Sequence, residues 1–287
     1  MTVLVIGGSG YLGAELVRRA AAAGHDTAAT FATRPGTAPA AAWHHLDVRD
    51  PAQLTALLGE VAPAAVINAS SGQADWAVTA EGAVRVAQAA VRQGCRLVHV
   101  SSDAVFSGAR VRYDESCPPD PVTPYGAAKA AAETGVRLVA PDAVVARTSL
   151  IMGDGRSAHE RLVHELTTGR RGGALFTDEV RCPVHVADLA GALLELALSG
   201  ERGVWHLAGA DALSRYEAGV LMARRDGFDP GLLPSGRRAD SPLPGALDVR
   251  LDSGAARSRL RSPLRGAREF LAGGTGAEDV AGAPDGS

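Results

Sequence analysis

Cysteine, aromatic side chains and surplus charge are all scarce in this chain of 287 residues. The three cysteines, Cys95, Cys117 and Cys182, stand far apart. That spacing excludes a disulfide framework or a zinc site and fits a reducing cytoplasm. Aromatics make up only 4% of the residues, so alanine supplies much of an apolar content of 46%. Such a content, beside 21% charged residues, can bury a core and excludes a chain disordered throughout. The formal net charge of -3 lacks the basic surplus of a nucleic-acid or membrane-surface binder. No apolar run approaches the ~18–20 residues of a membrane span. The opening MTVLVIGGSG has neither the basic segment nor the cleavage-like site of a secretory signal.

What is present is alternation. Apolar, β-branched runs at 2–6, 25–31, 43–46, 64–68 and 95–100 read as strands, and the stretches 11–23, 51–58 and 76–92 between them as helices. This order predicts an α/β fold, a Rossmann-like doubly wound parallel sheet with helices on both faces. Residues 107–124 carry four prolines and read as a loop. A helix follows over 125–139 and a sixth strand over 143–147. Beyond Gly153 come helices near 157–169 and 186–198, a strand at 204–207 and a helix at 215–225. The expected division is a dinucleotide-binding domain over 1–150, a smaller, partly interleaved substrate-covering region over 151–271, and a disordered tail over 272–287 that lacks large apolar residues.

The segment GGSGYLG sets Gly7, Gly10 and Gly13 at three-residue spacing between the first strand and the first helix. Glycine there lets the backbone approach a pyrophosphate, and the helix start offers free N–H groups and a positive dipole end. Gly7, Gly10, Tyr11, Leu12 and Gly13 are therefore candidate cofactor-binding residues. An NAD site places an acidic side chain at the end of the second strand. Here that segment is Phe31-Ala32-Thr33-Arg34, with no carboxylate. Thr33 and Arg34 suit a 2′-phosphate, because a guanidinium forks well onto phosphate oxygens. The expected cofactor is NADPH rather than NADH. Asp47 and Val48, after the third strand, are placed beside the adenine, and Asn68, Ala69 and Ser70, after the fourth, along the cofactor channel, because ligands gather at the carboxyl ends of parallel strands.

Tyr125 and Lys129 lie four apart in PYGAAKAAAE, on one face of a helix. A free tyrosine ionises near ~10, and a neighbouring ammonium stabilises the phenolate and lowers that value. Ser101-Ser102-Asp103 follows the fifth strand, where a hydroxyl can hold a substrate carbonyl oxygen toward the tyrosine. The adjacent His44 and His45 point to opposite faces of a strand, which argues against a shared metal site. Asp188 is expected to serve the amides of its helix's first turn. His206 reads as a strand histidine. Cys182, with no nearby base in sequence, reads as an inert thiol. Trp76 suits a substrate pocket and ordinary packing equally.

With these pieces in place, the chain resembles the short-chain dehydrogenase/reductase superfamily in its extended, sugar-nucleotide-modifying branch. Within that branch it is most similar to the dTDP-4-dehydrorhamnose reductase family. The matching pieces run in order: GGSGYLG, LDVRD, VINAS, AEG at 80–82, HVSSDAVFSG, PVTPYGAAKAAAE, VARTSLIMG, RCPVHVADLA and VWHLAG, with a weaker echo in ALDVRLDS at 246–253. The resemblance implies that Tyr125 donates the proton, that Lys129 is its partner and a ribose ligand, and that Ser102 is the catalytic hydroxyl. It implies substrate contacts from Asp103, Ala104 and Arg147, a small-molecule ketone substrate, and a homodimer. Three departures stand out. Ala104 replaces a tyrosine expected to border the substrate, Thr79 replaces an asparagine, and Ser70-Ser71-Gly72 replaces an alanine-rich stretch. The leading expectation is an NADPH-dependent reductase of a dTDP-4-keto-6-deoxysugar or a related ketone. Its rivals are a sugar-nucleotide epimerase or dehydratase, a ketone reductase of a non-sugar pathway, and a non-catalytic NADP-binding regulatory subunit.

Overall fold

The run Thr2–Ile6 forms β1, whose Val3, Leu4, Val5 and Ile6 are all fully buried. Burial on both faces explains why this strand reads as continuous apolar sequence rather than as alternation. The structure, a computed structural model, describes residues 1–39 and 41–272. Six further strands join β1: β2 (Asp26–Phe31), β3 (Ala41–His45), β4 (Ala65–Asn68), β5 (Arg96–Ser102), β6 (Val144–Thr148) and β7 (Gly203–Leu207). They make one parallel sheet in the order β7-β6-β5-β4-β1-β2-β3. The winding reverses between β1 and β4, and that switch point opens a crevice at their carboxyl ends.

Helices cover both faces. On one, α1 (Tyr11–Ala22) and α6 (Val186–Ala197) pack Leu16, Leu189 and Leu193 against Val3, Val5 and Trp205. On the other, α2 (Pro51–Val61), α3 (Gly82–Gln93) and α4 (Pro124–Val139) pack Leu54, Val86, Ala87 and Ala132 against Leu4 and Ile6. Sequence explains the helix starts. Asp50 accepts from the amides of Ala52 and Gln53, and Thr123 from that of Gly126, each followed by proline in the first helical position. Ser157 with Glu160, and Ser214 with Glu217, form capping boxes for α5 (Ala158–Thr167) and α7 (Arg215–Arg225).

The helix expected over 76–92 begins instead with a π-helical turn, Ala77–Glu81, before α3. Asp188 does not serve its helix start either. Its carboxylate takes three bonds from Arg265, and the His185 ring accepts from the amide of Ala187 in its place. Beyond β6 the chain is interleaved. Met152, Val163, Leu175 and Met222 form a separate core between α5 and α7, whereas α6 and β7 return to the main sheet. Of the tail expected over 272–287, Ala272 closes a last helix, Ala267–Ala272, and the rest lies outside the described residues. No helix of the described residues is long and apolar enough to cross a membrane.

Candidate active site

The crevice is floored by the glycine loop. Gly7 has φ +80, and a Cβ on it would lie 2.9 Å from the backbone of Ser70. A Cβ on Gly13 would lie 2.1 Å from the Gly7 carbonyl oxygen. The loop is thus a backbone cradle that side chains would fill. Gly10 precedes α1 and no side chain caps that helix start, which leaves its first amides for an anion. Of the loop's side chains, Leu12 is buried in the core, and the Tyr11 hydroxyl donates to Asp154 at 3.3 Å. Burial and the carboxylates of Glu160 and Asp154 push the Tyr11 phenol well above its ordinary range.

Thr33 and Arg34 are exposed just beyond β2. Asp47 pairs with Arg49 at 2.7 Å, and those bonds hold its carboxyl down at about 2. Val48 is buried and packs over Gly82, where a Cβ would come within 2.8 Å of it. Asn68 is held inside the end of β4. It is 1% exposed, and its Oδ1 accepts from the amide and hydroxyl of Ser70 at 3.1 and 2.6 Å. The side chain at the end of β4 thus braces the next turn. Ala69 donates its amide to Ile6 at 2.9 Å, which ties this turn to β1.

Ser102 ends β5 and caps the short 3-10 turn Asp103–Val105 by accepting from the amide of Ala104 at 3.2 Å. Gly126, in the first turn of α4, is pressed onto that turn: a Cβ there would stand 2.1 Å from the Ala104 carbonyl oxygen. This close approach sets the start of α4, with Tyr125, beside the Ser102 turn, and the hydroxyls of Ser102 and Ser71 lie near the Tyr125 phenol. Burial, with Asp103 nearby, moves the phenol up from its ordinary value. The lowering expected from Lys129 is therefore overturned, because the ammonium is turned to the Val100 carbonyl at 3.0 Å. Lys129 itself is buried, and desolvation brings it down to about 8 against the pull of Glu133.

Two residues carried over as substrate contacts face inward. Arg147 is 1% exposed and forks onto Glu133, with Nη2 at 2.8 Å, while its Nη1 donates to the Cys117 carbonyl at 3.1 Å. A guanidinium so saturated is an internal counter-charge. Asp103 is 5% exposed, accepts from Ser149 at 2.6 Å and stands 3.7 Å from Arg181. Ala104 is half-buried. Sequence reasoning did not single out Gly126 or Glu133, and it named Ser71 only within a departure from the family pattern. Glu133 had a signal, since it follows Lys129 by the same four residues that separate Lys129 from Tyr125, and Ser101 donates to it at 2.6 Å.

Farther out, a cavity of about 300 Å³ opens between α5 and α7, lined by Met152, His159, Phe176, Glu179, Arg215 and Met222. Arg181 lies between Asp103 and Glu179, 3.7 and 3.8 Å from them, and so bridges this cavity to the Ser102 turn. Trp76 is 50% exposed. Among the described residues, no group of three or more His, Cys, Asp or Glu could hold a metal ion.

Residues 1–246 match the family model of the RmlD substrate binding domain. A Streptomyces antibioticus protein named as a probable dTDP-4,6-dihydroxy-2-methyloxan-3-one 4-ketoreductase is 33% identical, over 80% of this chain and 79% of its own. The dTDP-4-dehydrorhamnose reductase of Mycobacterium tuberculosis is 32% identical, over 84% of this chain and 81% of its own. The solved structure of the dTDP-4-dehydrorhamnose reductase of Bacillus anthracis, in complex with NADP, superposes with a TM-score of 0.78 at 21% identity, over 94% of this chain and 97% of that one.

Proposed function

We propose, because this chain belongs to the RmlD substrate-binding-domain family within the extended short-chain dehydrogenases/reductases, that it is an NADPH-dependent reductase of a dTDP-4-keto-6-deoxysugar or a close relative. The observation that carries the reading is the convergence of Tyr125, Ser102 and Lys129 beside a glycine cradle at the sheet's switch point.

The cradle fits a dinucleotide. Gly7, Gly10 and Gly13 leave room for a pyrophosphate against the uncapped start of α1, and the exposed Thr33 and Arg34 suit a 2′-phosphate. Bound there, the reduced nicotinamide supplies the hydride that turns a ketone into an alcohol. The protein's part is to hold the carbonyl and deliver a proton. Ser102 and Tyr125 donate hydrogen bonds to the carbonyl oxygen, and Tyr125 yields its proton as negative charge grows there. A phenol kept neutral by burial suits this direction of reaction, because the acid must arrive protonated. By the family resemblance, Lys129 would serve the cofactor ribose. The apolar cavity between α5 and α7 offers a place for a nucleobase, which supports a nucleotide sugar over a free one. The reading includes a homodimer working in the cytoplasm.

The test is NADPH oxidation with dTDP-4-keto-6-deoxysugars against simple ketones. The parent protein is expected to turn over the nucleotide sugars preferentially. Tyr125→Phe, which removes only a hydroxyl, is expected to lose roughly a hundredfold or more in turnover with cofactor affinity little changed. Reduction of the sugar by Tyr125→Phe at the parent's rate would show that another group donates the proton.

A further inference from the structure

Near the carboxyl ends of β5, β6 and β7, three polar residues stand side by side in a layer that is otherwise apolar. Ser101 pairs in register with Arg147, and Arg147 with His206. Register in a parallel sheet puts all three side chains on one face. It is the face that α4 covers, where Leu97 and Val145, farther back on β5 and β6, pack with Ala132 and Val136 of that helix. None of the three polar residues is more than 2% exposed.

Glu133 reaches into this row from α4 and is itself 1% exposed. Its Oε1 accepts from the Ser101 hydroxyl at 2.6 Å and from Arg147 Nε at 3.0 Å, and its Oε2 from Arg147 Nη2 at 2.8 Å. One turn earlier on the helix, Lys129 donates to the carbonyl of Val100, the residue before Ser101. Two side chains of α4 therefore fasten it to two consecutive residues of β5. The next residue on the strand is Ser102, and the turn before Lys129 on the helix carries Tyr125. A buried ion pair is a poor source of stability, because well-packed apolar side chains serve as well without stripping two charges of water. What a forked guanidinium–carboxylate pair adds is a fixed geometry.

We propose that Glu133 is a positioning residue for the reduction: held by Ser101 and Arg147, it sets α4 against the end of β5 and so fixes where Tyr125 stands relative to Ser102. The proposal rests on the reading of Tyr125 as the proton donor. Buried as it is, Glu133 meets neither substrate nor cofactor and acts only through the helix that carries it. Two constraints then act on α4 in opposite senses. The press of Gly126 on the Ala104 carbonyl stops the helix from coming closer, and the bonds to Glu133 stop it from lifting away. Tyr125 and Ser102 must reach one carbonyl oxygen together, so a drift of the helix by a fraction of an ångström weakens both contacts at once.

Glu133→Gln would strand the Arg147 charge in the interior and is expected to fold badly, so two other variants carry the test. Ser101→Ala cuts the bond from Glu133 to β5 and leaves the ion pair whole. Glu133→Met combined with Arg147→Met replaces the pair by apolar side chains and is expected to keep the fold and thermal stability close to the parent's. The first measurement needs neither substrate nor cofactor: amide hydrogen exchange of the full chain. Both variants are expected to exchange faster over 124–133 and at the parent's rate in α1. The second is steady-state reduction of a dTDP-4-keto-6-deoxysugar beside a fluorescence titration of NADPH binding. Ser101→Ala is expected to lower kcat about tenfold and the double variant about a hundredfold, with NADPH affinity little changed. Ser101→Thr, which returns the hydroxyl, is expected to restore kcat. A row that served stability alone would leave the folded double variant turning over like the parent, and that result overturns the proposal. Equal losses in kcat and NADPH affinity overturn it too, as a general loosening. Unchanged exchange over 124–133 shows that Glu133 does not hold the helix, whatever the activity. A parent that reduces no keto sugar overturns the reductase reading and the role of Glu133 with it, while faster exchange in the variants would still establish the clamp on α4.

Discussion

His99 and His206 are 1% and 0% exposed, and each keeps one ring nitrogen without a hydrogen-bond partner. Burial, aided by Lys129 beside His99 and Arg147 beside His206, brings them from 6.5 down to about 3 and about 4. His159, buried with Arg215 beside it, falls to about 4 as well. A histidine held neutral in the fold but free to protonate when unfolded adds stability above pH 6.5 that is lost as pH drops toward the folded value. Each such ring is expected to cost about 1.4 kcal/mol of unfolding free energy per pH unit in that window. Denaturant melts at pH 6.5, 6.0, 5.5 and 5.0 would measure the slope, and His206→Gln is expected to remove one ring's share of it. A flat profile over this window would mean that these rings protonate inside the fold. That Tyr125 and Lys129 share one helix was legible in the sequence from their spacing, but the direction of the phenol's shift was not. Spacing says which side chains share a helix face, and it is silent on how dry that face is. Arg147 was misread for a related reason, since a position at a strand's end does not show that Glu133 waits on the other side.

At the scale of elements, helix starts were readable because their chemistry is local. Asp50-Pro51, Thr123-Pro124 and the two serine–glutamate boxes each lie within four residues of what they cap. The π-helical turn was not readable, because it answers to a loop that hangs from Thr79. The meeting of α4 with the Ser102 turn was equally hidden, since nothing near Gly126 in sequence reveals a carbonyl 2.1 Å from where its Cβ would be. Gly126→Ala is expected to push the first turn of α4 away from Ala104, costing about 1–3 kcal/mol of stability in strain. It should lower kcat more than cofactor affinity, because Gly126 adjoins Tyr125 while the glycine loop lies on β1. Kinetics beside a cofactor-binding titration would check this, and equal losses in both would point to a general loosening instead.

For the whole molecule, the first five strands and the parallel winding followed from alternation. The return of β7 to the main sheet did not, because a short apolar run does not announce its neighbour. That return puts Gly203–Leu207 against Val144–Thr148 across about 54 intervening residues, and α6 against α1 across about 163. A fragment of residues 1–150 is expected to precipitate or bind hydrophobic dye, whereas the full chain stays soluble; a folded, monomeric fragment would contradict this. The interleaving also bears on birth. A ribosome that has released residue 150 has issued every strand of the seven-stranded sheet but one, with the edge of β6 still bare. During the seconds in which the next residues emerge, at about 5–20 per second, that edge is the nascent chain's point of danger, and a chaperone that shields it then would serve the yield of this protein more than any later help.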